Sequence, residues 1–532
     1  MQDRFGITDV KTLYFILALC VTSSLQAELE LSAIIADGMV LQRNTKAPVW
    51  GWADPDTEVT AVFQEQKHKT KATKEGKWLI TFKGLRASST PATLEISSGK
   101  DKRVISDVVV GDVWINSGQS NMAYTVSVTT PEEVLSKINK PTIRSFKAQG
   151  RSHRLQEKTE GKWTKADTPG NAGRISAVGF FFANRINDEL NIPIGLIDIT
   201  SSATAIQAFM PKELIKKENA LNAHEQSVMK YEAFLASDPY KKYIASLEQY
   251  KADIEKWEEN GRKGERPQQP KKLKMPRVPF LGNVYNARIY PLRDYGVKGI
   301  IWYQGEHNSI RFEIYSELLK DMVTHWRLLI GSEVPFYYVQ VTPIWAQRQE
   351  SAHTWVFGRN EMRIAQDIIP KSGMACIHDL AIKGNVHPSD KIEVGTRLSH
   401  WAMHFDYGRK DLVYSGPLFR SVKFTDSSAI VTFEHAKGLT TRDGKAPTWF
   451  EVAPKNGEWV EAEAKIVGEK VVVSSPKVPN PEKVRHAWDG WAPEVNLVNS
   501  ADLITSSFST HPDEAPILRP HRYKPPKVKK KE

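Results

Sequence analysis

Between residues 108 and 379 the chain repeats one pattern: a short apolar run, rich in β-branched residues, stops abruptly at small polar ones. Such runs end at Asn116, Thr200, Gln304, Thr342 and Asp379. Unbroken apolar runs of this length describe strands covered on both faces. Between them, residues 177–190 and 312–329 carry apolar positions at helical spacing. The alternation predicts an α/β fold, a three-layer parallel-sheet domain with helices on both faces. Ligands bind beyond the carboxyl ends of the strands in such sheets, so the polar clusters found there are the first candidates for a site.

The flanks have another texture. Residues 28–106 alternate short apolar runs with turn signals at Asp37-Gly38, Asp54-Pro55-Asp56 and Glu75-Gly76, which predicts an N-terminal β-sandwich. Trp50, Trp52 and Trp78 read as inward anchors of that sandwich, with sugar stacking as their other role. The β texture returns after residue 416, at 421–425, 429–433 and 470–474, and predicts a C-terminal β-sandwich reaching 510. The sheet domain therefore spans 107–415. Residues 211–277 interrupt it with a Lys- and Glu-rich helical hairpin that runs into a Gly/Pro/Gln linker at 261–270. Residues 511–532 read as a basic, disordered tail.

At the N-terminus, Arg4 and Lys11 precede an apolar run at 13–21, and Ala27 supplies a small residue for cleavage. Residues 1–27 are read as a secretory signal peptide, too short in its apolar part to span a bilayer. Leu19 before Cys20 argues against a lipid anchor. With the signal removed, Cys376 is the sole cysteine, so no internal disulfide is available and no metal site can be assembled from thiolates. The net charge of +11 gathers in the insert and the tail, where it reads as a solvated face. Aromatic residues are not interleaved with the tail lysines, which argues against a nucleic-acid partner.

The run at 111–122, GDVWINSGQSNM, reads as a buried strand delivering a serine to a tight turn at Gly118. Ser117 and Ser120 both have the chemistry of a nucleophile. Met122 stands where the G-x-S-x-G elbow would have its second glycine, so that motif is absent.

GQSNM at 118–122, with WYQGEHN at 302–308 and NVHPSDK at 385–391, resembles the sialate O-acetylesterase (SASA) family of SGNH-type carbohydrate esterases. DGMVLQR at 37–43, VWGW at 49–52, VRHAW at 484–488 and NLVN at 496–499 extend the resemblance over both flanks. It implies that Ser120 is the nucleophile and His387 the base. Asp379 is the implied orienting acid, with a backbone carbonyl as the alternative. The implied oxyanion donors are the N–H of Ser120, an N–H in the turn at Ser202 and Ala203, and the side-chain amide of Gln304. Relatives read Gly-Gly-Thr at that turn, and this chain reads Ser202-Ala203-Thr204, which puts any left-handed geometry there in question. Glu306 is read as a structural carboxylate, although its chemistry also suits a general base. His307 replaces a small residue and either touches substrate or packs beside the site.

The resemblance implies a serine esterase removing O-acetyl groups from carbohydrates, 9-O-acetyl or related sialic acids first. Acetylxylan or another polysaccharide is the alternative substrate, and a non-catalytic glycan-binding protein is the alternative of another class. No cofactor is called for. The expected partner is the O-acetylated carbohydrate, without nucleic acid or stable membrane insertion, in a protein exported to the periplasm or the exterior. The sequence carries no signature of an oligomeric state.

Overall fold

The computed structural model describes residues 29–215, 218–276, 281–345 and 349–517. The predicted signal peptide and residues 518–532 of the predicted tail lie outside them.

One strand organises the molecule. β1 (Asp101–Gly118) is 18 residues long. Its first part pairs antiparallel with Ser88–Ser98 in the N-terminal region, and its last part pairs in parallel with Ile194–Asp198 and Gly299–Tyr303 of the central sheet. The boundary expected at 106–107 therefore falls inside a continuous strand, and the N-terminal region is joined to the centre through backbone hydrogen bonds rather than a linker. Val40–Gln42 adds a further parallel pairing with Val109–Gly111.

The central sheet contains β1, β2 (Lys140–Gln149), β3 (Glu160–Ala166), β4 (Ile194–Asp198), β5 (Gly299–Tyr303), β6 (Phe336–Val339) and β7 (Ser372–Ala375), in the order β3-β2-β4-β1-β5-β6-β7. All neighbours are parallel except β3, which runs antiparallel to β2 at the edge. β2 and β3 lengthen the sheet beyond the five strands legible in the sequence. Both carry lysines and threonines, and β2 buries Arg144 and Ser145 among its apolar residues, so their apolar signal is weak.

Helices cover both faces. α1 (Ala177–Leu190) and α6 (Lys391–Phe405) pack on one side, where Trp114, Ile301 and Tyr303 point. Gly395 permits their close approach, since a Cβ there would stand 2.8 Å from the Phe182 nitrogen. α4 (Tyr315–Ile330) and α5 (Gln349–Ile368) cover the other side, over Ile115, Ile300 and Trp302. Adjacent residues of β1 and β5 thus feed opposite cores, as the period of a strand requires. Ser176 and Asp390 cap α1 and α6 by accepting from the N–H groups of Gly179 and Glu393.

The remaining elements frame this domain. Residues 29–100 form two small sheets that meet at the Phe63 and Phe82 rings, 5.8 Å apart. Residues 418–509 contribute two four-stranded antiparallel sheets packed around Phe419 and Phe508, whose rings stack at 4.2 Å. α2 (Glu218–Ala236) and α3 (Asp238–Glu259) are consecutive helices of the insert. Arg154, in the loop after β2, pairs with Glu225 and Glu232 of α2 at 3.0 Å each. Among the described residues no helix is long and apolar enough to cross a membrane.

Candidate active site

β1 ends at Gly118, whose φ of +137° is open to glycine alone, and a Cβ there would fall 2.1 Å from the Tyr303 carbonyl oxygen. The sharp exit from the sheet and the contact with β5 both depend on this glycine. The chain then enters a one-turn helix, Ser120–Ala123, so the Ser120 N–H has no intrahelical acceptor. Ser117, still on the strand, is completely buried. Of the two serines the sequence offered, Ser120 is the one that meets a base: its Oγ lies 2.9 Å from Nε2 of His387, 267 positions away.

His387 sits in the loop between β7 and α6. Its backbone N–H donates to Asn385 Oδ1 at 2.9 Å, and Tyr124 packs edge-on against the imidazole at 5.0 Å. Burial lowers its pKa below the usual histidine value, and the nearby Lys391 charge lowers it further. Both effects favour the neutral ring that can accept a proton from Ser120.

Asp379 does not serve this histidine. Its carboxylate takes a two-pronged contact from Arg397 of α6, at 2.7 and 2.9 Å, and a third bond from Arg442 at 3.1 Å. Burial pushes its pKa up, and the arginines more than offset that, holding it below the usual aspartate range. The expectation of an orienting acid at Asp379 is corrected on this ground: both oxygens are committed to an ion pair tying the end of β7 to α6 and the C-terminal region. Among the described residues Nδ1 of His387 has no hydrogen-bond partner, carboxylate or carbonyl.

Gln304 is also corrected. It is fully buried; its amide nitrogen lies 2.8 to 3.2 Å from Asn308 Oδ1, Gln119 Oε1 and the Thr204 carbonyl, and its oxygen accepts from the Tyr315 hydroxyl at 2.8 Å. An amide so engaged has no N–H left for an oxyanion. It instead joins the turns after β1, β4 and β5.

The turn after β4 approaches the serine through its backbone, with the Ser201 N–H donating to the Gly118 carbonyl at 2.9 Å. Ser202 and Ala203 follow, exposed, and their N–H groups donate to no described residue. Ala203 has φ +51°, so the left-handed conformation persists although glycine is absent. An alanine there is strained, and strain of this kind gathers at functional turns. The Thr204 hydroxyl helps hold it by donating to the Ser202 carbonyl at 2.8 Å.

Glu306 and His307 part company. The His307 side chain is exposed, and its backbone N–H donates to Gln119 Oε1 at 3.2 Å. Glu306 turns inward, where one carboxylate oxygen accepts from Asn121 Nδ2 and the other is shut off from solvent with no side-chain partner among the described residues. Burial raises its pKa, against the opposing pull of its own backbone N–H, Asn121 and Lys391. Among the described residues no cluster of three or more histidine, cysteine, aspartate or glutamate side chains is placed to hold a metal ion.

The profile of a family described as carbohydrate esterase, sialic acid-specific acetylesterase, matches residues 110–281. Sialate O-acetylesterase of Mus musculus is 25% identical over 520 residues, covering 86% of this chain and 89% of the mouse protein. The Homo sapiens enzyme is 24% identical over 428 residues, 73% of each chain. A crystal structure of a carbohydrate acetylesterase from Xanthomonas citri superposes with a TM-score of 0.75 at 29% identity, covering 91% of this chain and 99% of that one. The chain is similar to the sialate O-acetylesterases along most of its length, and it is a carbohydrate O-acetylesterase.

In this esterase two residues beside the Ser120–His387 pair escaped the sequence reading. Asn121, completely buried, donates to Glu306 and, at 2.9 Å, to the carbonyl of Val386, the residue before His387. Its oxygen accepts from Lys391 Nζ at 2.6 Å. Lys391 is 1% exposed, its ammonium lies 5.1 Å from the centre of the Tyr303 ring, and burial brings its pKa down to about 7. One amide thus links the turn of Ser120, the loop of His387, the start of α6 and the turn after β5. Asn121 and Lys391 both stand inside motifs the sequence singled out, GQSNM and NVHPSDK. Only their partners, 185 to 270 positions distant, were invisible.

Proposed function

We propose that this chain is a serine esterase of the SGNH type that hydrolyses O-acetyl esters of sialic acids, the 9-O-acetyl position first, after export from the cell. The observation carrying the reading is the 2.9 Å separation between Ser120 Oγ and His387 Nε2 at the carboxyl edge of the central sheet. In the reaction, His387 Nε2 takes the hydroxyl proton as Ser120 Oγ bonds to the acetyl carbonyl carbon. The carbonyl electrons move onto oxygen, which accepts from the N–H groups of Ser120 and of the Ser202–Ala203 turn. Collapse breaks the bond to the sugar oxygen, which leaves with the proton from His387. Water then repeats the sequence on the acetyl-enzyme, releasing acetate and restoring Ser120.

The sugar assignment draws on the mouse and human relatives, which are named for sialate esters, while the Xanthomonas citri protein is named only for carbohydrate. Acetate release from 9-O-acetylated sialic acid, acetylated xylan and p-nitrophenyl acetate tests the reading, with the wild type beside Ser120→Ala. The expected result is release by the wild type, fastest from the sialic acid, and a loss on the order of a thousandfold or more in the variant. Equal rates for the two proteins would remove Ser120 as nucleophile. Preference for acetylated xylan would replace the sugar but keep the chemistry.

A further inference from the structure

Trp50 and Trp78 are buried, as inward anchors should be, but Trp52 on the same small sheet is only partly covered. Its indole borders a cleft of about 590 Å³ between the N-terminal sheets and the edge of the central sheet. Gln149, Arg151, Gln156, Lys158 and Glu160 form most of the opposite wall. The volume lies in the range of small-ligand sites.

The cleft opens on the catalytic side. β2 runs parallel to β4, and β4 to β1, so Gln149 and Arg151 leave the sheet at the same edge as Ser120. Two strand spacings, roughly 10 Å, separate β2 from β1. Arg151 bridges that interval: its guanidinium donates to Ser201 Oγ at 2.6 Å, beside the turn of Ser202 and Ala203. The walls are fixed in advance. Arg288 donates to the Gly150 carbonyl at 2.7 Å and to the Thr200 carbonyl at 2.6 Å, the Ser152 N–H donates to the Asn283 carbonyl at 3.0 Å, and Glu160 pairs with Gln149 across β2 and β3. A preformed wall spares a ligand the cost of ordering it.

We propose that this cleft is a saccharide subsite, holding neutral sugar units that carry the acetylated residue. The inference rests on the esterase reading of Ser120. An aromatic face beside amides, hydroxyls and charged tips matches a pyranose, which presents an apolar face and a rim of hydroxyls. The charges decide against a second anionic sugar. Arg151 and Lys158 are balanced by Glu30 and Glu160, and Lys158 already pairs with Glu30 while lying 4.5 Å from the centre of the Trp52 ring. Lys158 and Glu30 are both about half exposed, so a sugar displaces that pair at small cost. The N-terminal region would thereby contribute to substrate choice as well as to folding.

The test uses the full chain in three forms: wild type, Trp52→Ala, and Glu160→Trp, which places a bulky ring in the cleft from an exposed edge position. Lactose and xylotetraose are titrated by calorimetry and saturation-transfer NMR, and kcat/KM is measured for 9-O-acetylated sialyllactose and for p-nitrophenyl acetate. We expect at least one oligosaccharide to bind the wild type and to be lost from both variants. The ratio of kcat/KM for sialyllactose to that for p-nitrophenyl acetate should fall about tenfold, through KM. Absence of oligosaccharide binding, or binding and ratio unchanged in both variants, overturns the subsite. Failure of the nucleophile reading shows separately, as wild-type p-nitrophenyl acetate hydrolysis in Ser120→Ala.

Discussion

Lys391 directs its ammonium at Asn121, 2.6 Å from the amide oxygen, from the first position of α6 and four residues after His387. The contact makes Lys391 a positioning residue with two separable effects. It anchors the amide that holds the His387 loop, and its charge disfavours the imidazolium.

The second effect has a sign that kinetics can read. His387 must be neutral to act as base, so kcat/KM rises with pH through its pKa, which burial and Lys391 set below the ordinary value. Lys391 itself titrates at about 7, so it is charged in the acidic range where His387 titrates. Lys391→Met removes the charge and leaves the burial. The acidic limb of the kcat/KM profile should therefore move to higher pH, with a greater loss of activity at pH 5.5 than at pH 8. A limb that stays in place while the rate falls evenly would mean that Lys391 supports only the fold.

Asp379 gives the complementary case. Its oxygens belong to Arg397 and Arg442, and breaking a buried pair by removing one charge costs on the order of 3 kcal/mol. Asp379→Asn should lower the midpoint of urea unfolding accordingly and leave the acidic limb of the rate profile where it is. An orienting acid would behave in the opposite way: little change in stability and a displaced limb.

The contrast between these residues marks what the chain discloses before it folds. Strand ends are written locally, in apolar runs broken by Gly118, Thr200 and Gln304, whereas the pairing of Ser120 with His387 was implied by the resemblance carried by GQSNM and NVHPSDK. What a side chain does at a strand end is not local. Asp379 turned to Arg397, 18 positions on, and Gln304 to Tyr315 and Asn308, partners that no local pattern announces. β2 and β3 were missed for a different reason. Edge strand β3 is only partly covered and β2 buries polar Arg144 and Ser145, so neither shows an unbroken apolar run, and the polar ends of the two build the cleft around Trp52.

Ala203 supplies a test of strain. Its side chain is exposed and its φ is +51°, so the energy at stake is in the backbone alone. Ala203→Gly should stabilise the protein by about 0.5 to 1 kcal/mol in thermal or urea unfolding, less whatever the unfolded chain gains from the glycine. Ala203→Val should destabilise it, since a β-branched residue tolerates the left-handed region worst. If both variants match the wild type, the turn does not hold this conformation in solution.

Acid stability follows from two histidines outside the site. His378 is buried with its Nε2 2.7 Å from the Ala492 carbonyl, and His486 lies between Phe450 and Phe508 in the C-terminal core. Burial takes their pKa values down to about 3 and about 4. In the unfolded chain both return to the ordinary value near 6.5, so between that pH and their folded values the unfolded state binds more protons. Stability from these groups is complete above about pH 6.5 and drains away as the solution is acidified, by about 2 kcal/mol for each at pH 5. His486→Phe removes one such group while keeping an aromatic ring against its neighbours. The difference in unfolding free energy between this variant and the wild type should widen in favour of the variant by about 2 kcal/mol from pH 7.5 to pH 5. A difference independent of pH would show that His486 is not neutral in the folded protein, because only a group whose protonation changes on unfolding contributes to that slope.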